Sequence, residues 1–310
     1  MSMIKNQNKK NVMHKILRRD WQLFVLILLP ALYYAIFCYI PMGGIIMAFE
    51  DFRPLRGVFG SQWVGLKWFR QFFRSIYFFR LVRNTFLLNF LDLIFGFPLP
   101  IIFAIFLNEV ALRKLRNVIQ TISYMPYFIS TVIIVGILSN MLSVNGGIIN
   151  VWREKLGMEK LAFMSLPQYF RSLYVGSSIW QGFGFSSIVY LSAISGIEQD
   201  MYEAASIDGA SRWKKIQYIT FPSILPTITI CLILRLGSML SVGFEKVILM
   251  YNEATYETAD VISTYVYRRG LIAGEYSFGA AVDLFNSLIN FVFVGVSNYI
   301  VRHFSETSLW

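Results

Sequence analysis

Residues 203–226 read Glu203-Ala204-Ala205-Ser206-Ile207-Asp208-Gly209-Ala210-Ser211-Arg212-Trp213-Lys214-Lys215-Ile216-Gln217-Tyr218-Ile219-Thr220-Phe221-Pro222-Ser223-Ile224-Leu225-Pro226. They form a polar, helix-prone island between two long apolar segments. Asp200 is placed to cap a short helix starting at Met201, with Glu203 three positions on in an acidic variant of the capping-box spacing. Tyr202, Ala204, Ala205 and Ile207 keep that helix slim, and Gly209 permits the left-handed residue that ends it. Ser211 is placed to cap a second helix carrying Arg212, Trp213, Lys214, Lys215, Ile216 and Ile219, after which Pro222 opens the next apolar segment. The stretch predicts two short helices at an angle, projecting from a bilayer.

The rest of the chain supplies the bilayer argument. Of its 310 residues 56% are hydrophobic and only 15% charged, with a mean hydropathy of +0.54; a soluble domain carries about 25% charged residues. Such a deficit is what several membrane spans produce, because a charge at bilayer depth is expensive. The net charge of +10 reads as basic flanks of membrane helices facing anionic lipid, not as a nucleic-acid surface. Cys38 and Cys231 both lie in apolar segments and offer no extracellular disulfide framework. His14 and His303, one near each end, rule against a histidine metal site or a Ser-His-Asp apparatus. No phosphate loop of the Gly-x4-Gly-Lys-Ser/Thr type occurs, so the chain is not itself a P-loop ATPase. The basic N-terminus runs to Arg19 and is followed by an apolar run too long for a cleaved signal peptide.

About 20 apolar residues cross the hydrocarbon core as a helix. Six segments qualify: 21–49, 81–107, 118–142, 173–197, 222–250 and 277–301. Residues 1–20 then form a basic tail, 21–301 the six-span domain with the polar loop at 198–221, and 302–310 a second tail. Pro30, Pro41, Pro98, Pro100 and Pro126 fall inside spans, as hinges or as plain kinks. Lys5, Lys9, Lys10, Lys15, Arg18 and Arg19, opposed only by Asp20, place the N-tail in the cytoplasm. The 198–221 loop and the basic Arg113, Lys114 and Arg116 fall on the same side. The segment 50–80 runs against that rule, with Arg53, Arg56, Lys67, Arg70, Arg74 and Arg80 on the outside. There Trp68, Phe69, Phe72, Phe73, Ile76 and Tyr77 share one helical face, which reads as a helix lying in the membrane interface, aromatics down, or as a docking face for a protein. Residues 143–172 and 250–276 form further outer loops.

The 203–226 spacing resembles the EAA loop of ATP-binding-cassette (ABC) importers, the coupling helix of type I permeases, and in particular the oligosaccharide class that includes the maltose permeases. Tyr39-Ile40-Pro41-Met42, Trp63-Val64-Gly65-Leu66, Arg83-Asn84-Thr85, Asn145-Gly146-Gly147-Ile148-Ile149-Asn150 and Ala259-Asp260-Val261-Ile262-Ser263-Thr264-Tyr265-Val266-Tyr267-Arg268-Arg269-Gly270 resemble the LplB-type polysaccharide-uptake subgroup, with similarity running from about residue 20 to Leu309-Trp310. The resemblance implies an all-α membrane protein of six transmembrane helices, with the type I (MetI-like) permease fold and cytoplasmic coupling helices. It implies that the helix 201–208 seats in a groove of a separate ATPase, with Glu203 pairing a basic residue, Ala204 and Ala205 allowing close approach, and Asp208 and Gly209 holding the bend. The implied partners are a second homologous permease, two ATPase subunits or domains that bind ATP and magnesium, an extracellular solute-binding (lipo)protein, the oligosaccharide and membrane lipid. Nucleic acid is not among them. This chain would bind no cofactor and catalyse nothing, and would reside as a multi-pass protein in the bacterial cytoplasmic membrane.

For the solute path, sugars call for aromatic platforms with side-chain hydrogen bonds. Trp180, Gln181, Gly182, Phe183, Gly184 and Phe185 supply such a mixture in the fourth span, and the resemblance sets Gly182 and Phe185 toward the sugar. Helix packing through small residues is the other reading. Arg235, Met239, Val242, Gly243 and Glu245 are the fifth-span candidates, with Lys246 beside them. Arg235 suits neutralisation of a uronic acid, or else a contact to a neighbouring helix or permease. Asp283, Asn286 and Asn290 share a face of the sixth span. A transporter driven by an ion gradient would need more intramembrane carboxylates than Asp92 and Asp283, and an intramembrane enzyme would need a constellation the histidines do not supply.

Overall fold

The computed structural model describes Arg19 and residues 21–304, the side chains of 300, 301, 303 and 304 excepted. Most of the basic N-tail on which the orientation was read, and the last six residues, lie outside the described residues. The chain is almost wholly helical: among the described residues the only strands are β1 (Glu50–Asp51) and β2 (Gln62–Trp63), one antiparallel pair.

The helices that position the site, in order, are α1 (Trp21–Phe49), α2 (Lys67–Phe73), α3 (Phe78–Asn108), α4 (Arg113–Phe128), α5 (Thr131–Leu142), α6 (Ile148–Lys155), α7 (Pro167–Ser195), α8 (Gln199–Ile207), α9 (Arg212–Leu236), α10 (Phe244–Met250) and α11 (Tyr276–Phe304), with shorter helical turns in the 50–66 and 250–276 loops and before α7. Four of them, α1, α3, α9 and α11, are long and apolar enough to cross a membrane, and the bent pair α4–α5 makes a fifth. At 29 residues α7 exceeds the length a bilayer core requires; its serines and Gln181 only lower its hydropathy, and it completes the six.

Two spans are interrupted where continuous helices were expected. The 118–142 segment bends by 97° between α4 and α5. Pro126 enters a tight turn there, and the Ser130 hydroxyl accepts the Ile133 N–H as a new N-cap. The 222–250 segment stops at Leu236 and resumes at Phe244. Gly237 brings the break against Val294 of α11, and Asn290 of α11 accepts the Leu240 N–H at 2.9 Å and donates to Ser241 Oγ at 3.0 Å. Irregular backbone at membrane depth needs such internal partners. In α3 the helix slips through a π-turn at Asp92–Gly96 just before Pro98 and Pro100, whose missing N–H groups disturb the ladder.

The face read over 68–77 is divided. In α2, Phe72 is buried against Phe278 and Phe285 of α11, and Trp68 donates its indole N–H to the Glu50 carbonyl at 2.8 Å. Trp68, Phe69 and Phe72 thus pack on the protein, while Phe73, Ile76 and Tyr77 stay exposed, as do Lys67, Arg70 and Arg74.

Around α7, which packs on α3, α4 and α9, two apolar clusters form. One, at the end bearing the 250–276 loop, holds Leu88, Phe170, Val175, Val242 and Val261. The other, at the end bearing α8, holds Ile101, Ala104, Ile194, Ile216 and Ile224. Above the first cluster sits a buried polar hub. Asp260, 0% exposed, accepts two hydrogen bonds from Arg268 at 2.8 and 2.9 Å, one from Arg80 at 3.3 Å and one from the Thr264 hydroxyl at 2.9 Å. Burial is the largest single influence and works against the Arg268 charge, but the hydrogen bonds it donates to Asp260 and Tyr251, together with the Asp260 charge, outweigh it and raise the guanidinium pKa above its ordinary value. Asn84 of α3 donates to the carbonyls of Glu257 and Asp260 and accepts from Arg171 of α7.

Candidate functional site

Leu88 and Ile101 of α3 belong to opposite clusters, as do Tyr174 and Tyr190 of α7. Between them opens a cavity of about 770 Å³ at mid-bundle. Asn89 and Asp92 of α3 reach it, with Tyr127 from the end of α4. Ser178, Gly182, Phe185 and Ser186 come from α7, and Arg235, Ser238, Ser241 and Gly243 from the end and the break of α9. Tyr127 and Phe185 stack with ring centroids 4.0 Å apart and planes 5° apart, making one aromatic wall. Apolar side chains such as Phe97, Ile179, Val189 and Leu234 share the rest with the Ser178, Ser186, Ser238 and Ser241 hydroxyls and the Asn89 amide, and apolar surface with a few polar groups is the mixture that holds a polyol.

Inside the cavity Arg235 is ion-paired with Asp92, their side chains 46% and 13% exposed. Asp92 sits near the midpoint of α3, in its π-turn; such turns recur at functional sites. Arg235 sits at the C-terminus of α9, where the helix dipole favours a cation. Lys246 of α10 is buried nearby, donating to Ser178 Oγ at 3.0 Å and facing the Tyr174 ring.

The structure therefore brings Gly182, Phe185, Arg235 and Gly243 to one space. Gln181 turns away and donates to the Ile129 carbonyl at 3.2 Å, filling the α4–α5 break. Met239 and Val242 are buried in packing, and Glu245 is exposed outside the lining. Asp283, Asn286 and Asn290 do not line the cavity either. Gly184, next to the lining, is a packing glycine: a Cβ there would collide with the Ser123 backbone of α4. Sequence reasoning missed Asp92 as Arg235's partner, although a lone acid at mid-span was a signal in itself. It also missed Asn89, Tyr127 and Ser238.

The polar loop forms a second candidate site. α8 begins at Gln199, with Glu198 at the N-cap position making no side-chain cap. Asp200 lies in the first turn rather than capping, where its charge still suits the helix N-terminus. Gly209 has φ +72°, and the Ala210 and Gly209 N–H groups bond the carbonyls of Ala205 and Ser206, a Schellman ending. Ser211 caps the next helix through the Lys214 N–H. That helix is not a separate short one: α9 runs unbroken from Arg212 beside α8 to Leu236, with Arg235 in the cavity. Tyr202 and Thr220 share a hydroxyl bond of 2.9 Å, and Lys215 donates to Ser206 at 2.6 Å, so α8 is clamped to α9. Glu203, Ala204, Asp208 and Gly209 are exposed, Ala205 half-buried, and Ile207 87% exposed at the tip.

Residues 96–305 match the binding-protein-dependent transport system inner membrane components, so the chain belongs to this family of membrane-embedded transport permeases. It is 42% identical to protein LplB of Bacillus subtilis (strain 168) over 95% of this chain and 92% of the relative. It is 38% identical to the polygalacturonan/rhamnogalacturonan transport system permease protein YteP of the same organism, over 99% and 95%. Among solved structures it resembles a chain of a bacterial ABC transporter involved in the import of the acidic polysaccharide alginate, with 43% identity, a TM-score of 0.86 and coverage of 94% and 98%. The chain is thus an all-α ABC-importer permease.

Proposed function

We propose that this chain is one transmembrane subunit of an ATP-driven importer for oligosaccharides derived from complex polysaccharides or glycans. A second homologous permease completes the pathway, two ATPase subunits bind ATP and magnesium, and an extracellular solute-binding (lipo)protein delivers the sugar. The assembly lies in the bacterial cytoplasmic membrane with this chain's N-terminus in the cytoplasm. The observation that carries the reading is the continuity of α9: one helix joins the exposed α8 lever to Arg235 in the polyol-suited cavity. Glu203 and Asp208 supply charge to the socket, Ala204 and Ala205 let it close in, and Ile207 is the apolar tip. Closure of the ATPase pair displaces α8, and the clamp to α9 passes that displacement to the cavity as a rigid-body motion.

The test uses the tagged full chain co-expressed with its ATPase. Replacing Gly209 by Val forces a side chain into the left-handed region at about 1–2 kcal/mol, and Glu203→Lys reverses the socket charge. The double variant is expected to lose both the co-purifying ATPase activity and ATP-dependent oligosaccharide uptake. Undiminished uptake by cells lacking the ATPase would sink the proposal.

A further inference from the structure

The charges around the cavity do not balance. Arg235 has Asp92 as its partner, but among the described residues no carboxylate lies within ion-pair reach of Lys246, which is held by the neutral Ser178 beside Tyr174. Ser178 and Tyr174 both line the cavity. Glu245 and Asp283 are exposed and outside the lining. Two cations thus stand against one carboxylate within an apolar bundle, where an unmatched charge is unfavourable and an added anion is favoured.

The pair is also built to be exchanged. Arg235 keeps nearly half its side chain open to the cavity despite its partner. The absence of a side chain at Gly96 lets the carboxylate lie against the backbone one turn on, since a Cβ there would be 2.9 Å from its oxygen. Asp92 sits in the π-turn of α3, and Arg235 in the last turn of α9, just before the break. We propose that Asp92 is a placeholder for the carboxylate of an acidic oligosaccharide, which displaces it from Arg235 on entering the cavity. A uronate presents the planar two-oxygen face that guanidinium binds in a fork. Lys246 neutralises the charge left over when the uronate takes Arg235 and Asp92 swings away. Because one carboxylate replaces another, the solute is held without being trapped, as passage requires. The sugar's apolar face lies on Tyr127 and Phe185, and its hydroxyls meet Asn89, Ser238 and Ser241.

This rests on the oligosaccharide-import reading above. It is tested by equilibrium binding of labelled trigalacturonate and trimannuronate, and of their carboxyl-reduced counterparts, to the purified importer complex without its binding protein. The wild type is expected to bind at least one acidic trisaccharide better than its reduced form. Arg235→Gln should weaken the acidic ligand by about tenfold to a hundredfold, the worth of one charge-assisted hydrogen-bonded pair, and leave the reduced form unchanged. Asp92→Asn should tighten the acidic ligand, because the competitor is gone. Opposite signs at the two partners are the signature, and Arg235→Lys, which keeps the charge and the assembly, should fall between. Weakening by both variants together makes the pair merely structural and overturns the proposal, as does equal binding of acidic and reduced forms. Binding of neither acidic sugar overturns it too; if the complex still imports a neutral oligosaccharide with ATP, the import reading stands alone, and if it imports none, both fall.

Discussion

Asp260 and Asp92 are both carboxylates held by arginine inside an apolar bundle, yet the two are held in opposite ways. Asp260 is closed on every side: two arginines and a threonine hydroxyl saturate its oxygens, and Asn84 takes up its backbone carbonyl. Nothing can enter without first dismantling the hub. Asp92 has one arginine and a cavity in front. The first arrangement ties α3, α7 and the 250–276 loop into one body; the second leaves a charge that can change partners. The same chemistry gives a keystone in one place and an exchangeable contact in the other, and what separates them is how many other groups share the carboxylate.

The sharpest way to break that contrast is to remove each carboxylate in turn. Asp260→Ala leaves two partly buried guanidinium groups without a counter-ion, a loss of about 3–5 kcal/mol by the behaviour of broken buried pairs. Thermal unfolding of the detergent-purified protein should register it as a large fall in midpoint. Asp92→Asn should shift the same midpoint far less. Equal shifts for the two variants would erase the distinction between a closed and an open pair.

A smaller effect tests whether the hub is a unit. Asn84→Ala strands the Asp260 carbonyl, leaves the Glu257 carbonyl with Arg83 alone and removes the acceptor of one Arg171 hydrogen bond, worth about 1–3 kcal/mol. The loss should show locally, as faster amide exchange across 257–268, with the α8 loop unchanged. Acceleration spread evenly over the chain would mean that Asn84 holds up the fold at large rather than this corner of it.

The sequence carried much of the fold, because long apolar runs have only one way to satisfy their backbone in lipid. It also carried the local chemistry of the polar loop: the left-handed Gly209 and the Ser211 cap depend on neighbours only two or three positions away. What it could not carry was anything set by distant partners. The break after Leu236 is stabilised by Asn290 from another helix, and the sharp bend at Ile129 by Gln181; neither glutamine nor asparagine announces such a role within its own segment. Arg235 could be named because a charge stands out in an apolar span, whereas Gly182, Phe185 and Gly243 could be named only through the resemblance to sugar permeases. That Arg235 meets Asp92 follows only from how α3 and α9 pack across α7. How the 68–77 face divides, with Phe72 against α11 and Ile76 exposed, was hidden for the same reason, since its periodicity is identical in both environments.

Lys246 offers the smallest effect and the one with the opposite sign. A buried ammonium without a carboxylate is a net burden on the fold, offset only in part by Ser178 and the Tyr174 ring. Methionine has nearly the same length and no charge, so Lys246→Met should leave stability unchanged or raise it by up to about 1 kcal/mol, as replacing poorly compensated buried charges often does. If Lys246 serves the acidic solute rather than the fold, the same variant should weaken the retention of an acidic trisaccharide while the unfolding midpoint holds or rises. A midpoint that drops together with binding would instead make Lys246 a structural partner of a third group, and would move it from the exchangeable side of the comparison to the keystone side.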